Sequence, residues 1–541
     1  MTSGNPTNII QNHCLDYCTR RGLLPVHFHV PETDGGNIAP TTPGTRSIAI
    51  IAWGGHRGLF GLRMGMAAWR RGIRRIVHST PTGWTDQNLL VFNLLRLLEK
   101  ISPVLPPPSI RTTCRRLCKN RRSLFSPIPE RIAVFANSLA GGGAERQMVN
   151  TIIGLTRRGF PDIHLLCTHI ENRPGHDFYR PLLQQKEIGA SEIPSFTSPR
   201  NAAQPSLEGE TAQNLLSLDE NFGKILRRLP PELSCPMIGC AMEILRLKPS
   251  IVHAWQDSSS VAAGFAAAML GVPRIILGGR TLAPCHYPAS RPWLRDCYRE
   301  LARHPDVVML NNSIAGARSY EKWLGLPEGH IRILFNGFDA EKFSRADAGS
   351  VAAFRKRLGI PEGDAIIGTI ARMSEEKDPF LFFETANLLL AQHPRLSAIH
   401  VGSGPMEDEL RNRVRSAGLE NRFFMPGQMA DAALALSSMD VFLLTSRIEG
   451  TPNVSLEAGW LGVPVVATDA GGTKDTFDNG KTGFLVGSRD ASALAEKVSF
   501  ILANPVWKKQ AAENAPAFVQ ARFGVERMIS ETLDAYGISP P

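Results

Sequence analysis

The chain has 541 residues, 43% of them hydrophobic and 20% charged, with a formal net charge of +10. That balance excludes a largely disordered, fibrous or multi-span membrane protein, and the length holds two large domains or several smaller ones. Residues 1–130 carry 17 basic and 6 acidic side chains against 43 and 44 in the remainder. A surface for an anionic partner therefore belongs to the N-terminal segment, and the neutral body is not expected to bind nucleic acid.

The first ten residues, MTSGNPTNII, have neither the basic stretch nor the apolar core of a signal peptide. The longest uncharged apolar run, Ser258 to Pro273, is too short and too rich in Ala and Gly to span a bilayer. The expectation is a cytoplasmic protein with its nine cysteines as free thiols. Within residues 60–77, Leu62, Met66, Trp69, Ile73, Ile76 and Val77 recur at helical spacing, and Arg63, Arg70, Arg71, Arg74 and Arg75 fall on the other side. Such a helix lies on an anionic membrane surface or packs on its own domain with a solvated basic face; both readings stay open. Leu89 to Leu98 predicts a second apolar helix stopped by Pro103. Cys14/Cys18 and Cys114/Cys118 repeat a C-x3-C spacing, but neither has the two-residue gap or the following His pair of a zinc site, and no metal is expected.

From Arg131 onward, short β-branched runs alternate with longer helical patterns, as in parallel sheets covered by helices. Strands are predicted at 132–136, 163–167, 251–254, 274–277, 307–310 and 332–334, then at 365–370, 398–401, 423–425, 441–444, 463–467 and 483–486. The tract from Ser191 to Gln213 reads as an exposed excursion, Asn336 to Asp339 as the connector between two domains, and Trp507 to Tyr536 as helices. The resulting expectation is an α/β chain of four parts: a basic extension over 1–130, doubly wound domains over 131–340 and 341–505, and C-terminal helices over 506–541. Ligands of such folds bind outside the carboxyl ends of the strands, so two facing domains imply a cleft.

Three segments carry chemistry. Gly141-Gly142-Gly143-Ala144-Glu145-Arg146 follows a strand and opens a helix, where bare backbone N–H groups can approach a phosphate. Arg372 and Lys377, five residues apart after the first strand of the second domain, suit a diphosphate, one as a fork and the other as a point charge. In Glu449-Gly450-Thr451-Pro452-Asn453-Val454-Ser455-Leu456-Glu457 two carboxylates flank a turn leading into a helix; they suit paired hydroxyls, and the N–H groups of Gly450 to Val454 suit a phosphate.

Taken with the turns Asp469 to Gly472 and Asn479 to Gly483, this arrangement resembles the retaining, GT-B-fold glycosyltransferases of family 4, also called glycosyltransferase group 1, over roughly residues 131 to 540. Val401-Gly402-Ser403-Gly404-Pro405, the loop ending at Gly427, and Phe343 look similar in order. The resemblance implies a GT-B fold, two Rossmann-like domains about a cleft, and a hexosyltransferase. Glu449 would hold the donor sugar, Glu457 the ribose, and Arg372 and Lys377 the diphosphate. Gly142 and Gly143 would close over that diphosphate, with Gly427 in the donor site. No metal or cofactor is implied, the nucleotide sugar being a co-substrate. His253 falls one alternation earlier than the histidine of many relatives and is either an active-site residue or a buried structural one. The implied partners are a UDP- or GDP-linked sugar and a glycan or lipid-linked acceptor in exopolysaccharide or envelope glycan assembly, at the inner face of the membrane. A nucleotide-sugar epimerase of related fold and an inactive glycan- or lipid-binding protein are the rival readings.

Overall fold

The computed structural model describes residues 49–52, 76–79, 108–119, 125–170, 175–194, 229–287 and 290–538. The expected helix over 60–77 lies outside them except at its end, and there the structure differs. Ile76–Ser79 (β2) is a strand paired in parallel with Ala49–Ala52 (β1), from Ala49 opposite Ile76 to Ala52 opposite Ser79. An Ile-Val pair fits a strand as well as a helix turn, so helical spacing upstream of it did not decide its state. The expected helix at 89–98 and the pair Cys14/Cys18 also lie outside the described residues.

The body contains two all-parallel sheets. The first has Ile128–Ala136 (β3), Ile163–Cys167 (β4), Ala190–Glu192 (β5), Pro249–Trp255 (β6), Arg274–Gly279 (β7), Val307–Asn311 (β8) and Arg332–Ile333 (β9), in the order β5-β4-β3-β6-β7-β8-β9. The second has Ala365–Ile370 (β10), Leu396–Val401 (β11), Phe423–Gly427 (β12), Val441–Leu444 (β13), Val465–Thr468 (β14) and Gly483–Val486 (β15), in the order β12-β11-β10-β13-β14-β15. Their central strands are apolar on both faces: Ile132 to Phe135 and Val441 to Leu444 are all buried, as helix-covered parallel strands require. Strand order reverses between β3 and β6 and again between β10 and β13. Those two points direct the loops that follow β3, β6, β10 and β13 toward one region.

Three departures from the expected division have local causes. The helix Pro108–Lys119, placed with the N-terminal extension, packs into the first domain through Cys114 and Leu117, three residues apart on one face. The tract from Ser191 begins inside the edge strand β5, whose three residues carry no apolar run to announce them. The C-terminal stretch is two helices with different neighbours. Pro505–Phe523 packs on the second domain and Val525–Tyr536 returns to the first, where Met528, Ile529, Leu533 and Tyr536 join the core beneath β3 and β6. Among the described residues no helix is long and apolar enough to cross a membrane, and no three His, Cys, Asp or Glu side chains gather as a metal site.

His400, on β11, is buried with its Nδ1 unpartnered, and burial holds its pKa down from 6.5 to about 4. Between those values the unfolded chain binds a proton that the folded one does not. This group's contribution is thus complete above about pH 6.5 and is lost as pH falls toward 4. The slope is about 1.4 kcal/mol per pH unit. His400→Gln should give a flatter loss of stability than wild type between pH 6.5 and 4.5, read from urea midpoints; parallel slopes would refute the assignment.

Candidate functional site

The side chains singled out in the second domain meet where β10 and β13 end. Asp378 takes a left-handed backbone (φ 48°), and its carboxylate accepts from the Leu381 N–H at 3.3 Å, opening the helix Pro379–Gln392. Arg447 binds the same carboxylate at 2.7 Å, and Arg489 binds it too, fixing the loop from Arg372 to Asp378 against the loop after β13. In that frame Lys377 Nζ lies 2.6 Å from Glu449 Oε1, which also accepts from the Ser446 hydroxyl at 2.6 Å. Glu449 is 7% exposed. Its N–H donates to the Ala470 carbonyl and its own carbonyl accepts from Gly472, so the expected turn at 469–472 forms the wall behind it. Arg372 is exposed and makes no ion pair with any described residue. Gly427, with φ 80°, closes β12 and accepts from Gly402 N–H at 2.9 Å.

The glycine turn of the first domain faces the start of the helix Asn453–Trp460. A side chain at Gly143 would stand 2.9 Å from Asn453 Nδ2, and that amide donates to the Gly143 carbonyl at 3.2 Å. The bare backbone at Gly143 thus lies against Asn453, while a side chain at Gly142 would meet the Glu145 carboxylate of its own helix. Arg146, one turn into the helix Gly143–Arg157, forms an ion pair with Glu457, which is 3% exposed. Thus the carboxylate expected to hold a ribose is held by an arginine of the opposite domain. The Thr451 hydroxyl donates to the Asn312 carbonyl, and Asn453 Oδ1 accepts from Gln147 at 3.1 Å and Asn336 at 2.8 Å. Thr451 and Asn453 are therefore spent on domain contact, while Val454 packs at the edge of the second core.

His253 is buried. It has no exposed surface; its Nδ1 lies 2.9 Å from the Tyr536 hydroxyl and its ring 4.7 Å from that of Trp255. Burial, helped by the nearby charge of Arg280, holds its pKa well below 6.5, so the imidazole is neutral at physiological pH. Arg146, Ser446, Asn312 and Arg280 were not singled out from sequence. Arg146 sat inside the quoted glycine motif, and one helical turn of spacing from Gly143 would have placed it on the same face.

Two parallel-sheet α/β domains, with polar loops converging from the carboxyl ends of both sheets, define the GT-B class of fold. HepE of Anabaena, solved in complex with UDP and glucose, has a TM-score of 0.59 at 20% identity, covering 75% of this chain and 99% of that one. Sucrose-phosphate synthase of Thermosynechococcus elongatus has 0.57 at 18%, covering 75% and 98%. The family of glycosyl transferases group 1 matches residues 350–518 of this chain. Among curated relatives, the Vi polysaccharide biosynthesis protein VipC/TviE of Salmonella typhi is 27% identical over 443 residues, 78% of this chain and 74% of that protein. The lipopolysaccharide core biosynthesis mannosyltransferase LpsB of Rhizobium meliloti is 28% identical over 234 residues, 42% of this chain and 64% of that one, just under two thirds of its length.

Proposed function

We propose that the chain is a retaining glycosyltransferase, moving a hexose-type sugar from a UDP- or GDP-linked donor to an acceptor hydroxyl in polysaccharide or envelope glycan assembly. The observation that carries this reading is the Lys377–Glu449 pair at the switch point of the second sheet, 2.6 Å apart with the exposed Arg372 on the same loop. Breaking a sugar–phosphate bond develops negative charge on the departing diphosphate and positive charge at the anomeric carbon. Cations fixed in a partly dry cleft stabilise the first, and no metal enters the scheme. With a donor bound, Lys377 turns to the diphosphate and Glu449 accepts from the sugar's hydroxyls. Ribose hydroxyls exchange with Arg146 at Glu457. His253 acts as a positioning residue beneath Trp255. The matched domain and the polysaccharide and lipopolysaccharide relatives support the substrate class, and a lipid-linked acceptor at the inner membrane face fits the basic N-terminal segment.

Thermal stabilisation by UDP, GDP, ADP and their sugar conjugates tests the reading, since a ligand of the folded state raises stability by mass action. One nucleotide family should raise the melting temperature. Glu457→Ala should weaken that nucleotide about ten-fold or more, the scale of one lost charged hydrogen bond. No shift at millimolar concentration with any nucleotide would overturn the donor assignment, and release of a free epimerised sugar nucleotide would turn it to the epimerase.

A further inference from the structure

Arg280 is a half-buried cation without a counter-charge among the described residues. It directly follows β7 at the carboxyl end of the first sheet, and its Cζ lies 3.4 Å from the centroid of the Trp255 ring. Its Nε and Nη2 are buried and have no hydrogen-bond partner, and no described carboxylate pairs with it. Burial lowers its pKa from 12.5 to about 9, which leaves it protonated at neutral pH. An unpaired buried charge is costly, and proteins keep one where a ligand supplies the other sign.

Its place is built from both sides. Trp255 donates its indole N–H to the Ala144 carbonyl at 2.9 Å, which ties the surface under the guanidinium to the glycine turn. On the other side a Cβ at Gly450 would meet the Arg280 carbonyl at 2.2 Å, so the loop that begins at Glu449 rests on the Arg280 backbone. Arg280 therefore stands between the two segments assigned to the donor. A second unpartnered nitrogen converges with it. A Cβ at Gly278 would lie 3.3 Å from the Ala254 carbonyl oxygen, 3.5 Å from His253 Nε2 and 3.6 Å from Arg280 Nη2, so both nitrogens border a residue that has no side chain. Where the Tyr536 hydroxyl donates to His253 Nδ1, the neutral ring carries its proton on Nε2, and both nitrogens are then donors.

We propose that Arg280, backed by His253, is an oxyanion-binding residue of the cleft that takes a phosphate or carboxylate oxygen. Two sources share this chemistry: the terminal phosphate of the nucleoside diphosphate, and an acidic group on the acceptor. The inference rests on the sugar-nucleotide reading of the cleft.

Calorimetric titration of the full chain separates the sources. Wild type, Arg280→Gln and Arg280→Lys are titrated with UMP, UDP, GMP and GDP, and then, saturated with the diphosphate, with inorganic phosphate and galacturonate. If the terminal phosphate is the occupant, Arg280→Gln weakens the diphosphate at least ten-fold, leaves the monophosphate unchanged, and Arg280→Lys falls between. If the acceptor supplies the anion, diphosphate affinity holds and binding of phosphate or galacturonate to the saturated protein is lost in Arg280→Gln. Unchanged affinity for every probe overturns the proposal, as does equal weakening of mono- and diphosphate, the mark of a structural role. Should Arg280→Gln fail to fold, Arg280→Lys decides by the same criteria, because it keeps the charge and loses the fork. Wild type that binds no nucleotide would sink the sugar-nucleotide reading, while phosphate and galacturonate titrated onto the free protein would still judge Arg280.

Discussion

Lys377→Ala is expected to lower sugar transfer by about 10²–10³-fold, the usual cost of removing one preorganised group that meets transition-state charge. The lysine is 28% exposed and its partner Glu449 8%, so the pair is partly shielded from water, where a fixed cation counts for more than in bulk solvent. Removing it leaves Glu449 with the Ser446 hydroxyl as its remaining side-chain partner, a loss of about 1–3 kcal/mol. The melting temperature should accordingly fall by only a few degrees. Because the two side chains touch, Lys377→Ala combined with Glu449→Gln should be little slower than the worse single variant. Initial rates with the donor found by thermal shift decide it: rates equal to wild type in Lys377→Ala, or fully multiplicative losses in the double variant, would mean that the pair does not act as a unit.

The second large effect is steric. In Gly472→Ala the new Cβ would stand 1.8 Å from the Gly450 carbonyl and 2.6 Å from Ser313 Cβ. Gly450 cannot retreat, since it already lies against the Arg280 carbonyl, and Ser313 is fixed as the cap of the helix Ile314–Leu324, accepting from Gly316 N–H at 3.0 Å. The added methyl has to separate the Gly471-Gly472 turn from the first domain. Overpacking of this kind costs about 1–3 kcal/mol. The loss of activity should be larger than that loss of stability implies, because the displaced turn is the wall behind Glu449. Gly189→Ala, where an added Cβ meets nothing within 4 Å, is the matched control. Melting curves and transfer rates of Gly472→Ala indistinguishable from those of the control would show the contact to be loose.

The second domain was the more legible of the two. Strands β10, β13 and β15 fall where their β-branched and aromatic runs placed them, and the glycine, cation and carboxylate motifs follow strands as expected. Their carboxyl-end positions follow from the alternation of strand and helix alone. Less legible was whatever depends on partners distant in sequence. Glu457 and Arg146 are 311 residues apart, and no local pattern marks them as a pair. Arg280 looked like an ordinary residue after a strand until Trp255 and Gly450 were placed around it. The edge strand β5 and the helix Pro108–Lys119 escaped for a different reason: each is short, and its state is set by the surface it covers more than by its own propensities.

The chain passes between the two domains twice, and both passages lie side by side. Phe338 N–H donates to the Phe523 carbonyl at 2.6 Å and the Phe338 carbonyl accepts from Val525 at 3.1 Å, so Phe338 and Gly524 form a single parallel bridge. Two covalent links fastened at one edge act as the spine of a book: sliding and twisting are resisted, and the remaining soft motion is a swing that parts the covers at the far side. Opening of the cleft would then break the contacts of Arg146, Thr451 and Asn453 together, while the aromatic packing of Phe338 against Phe343 and Trp460 stays intact at the spine.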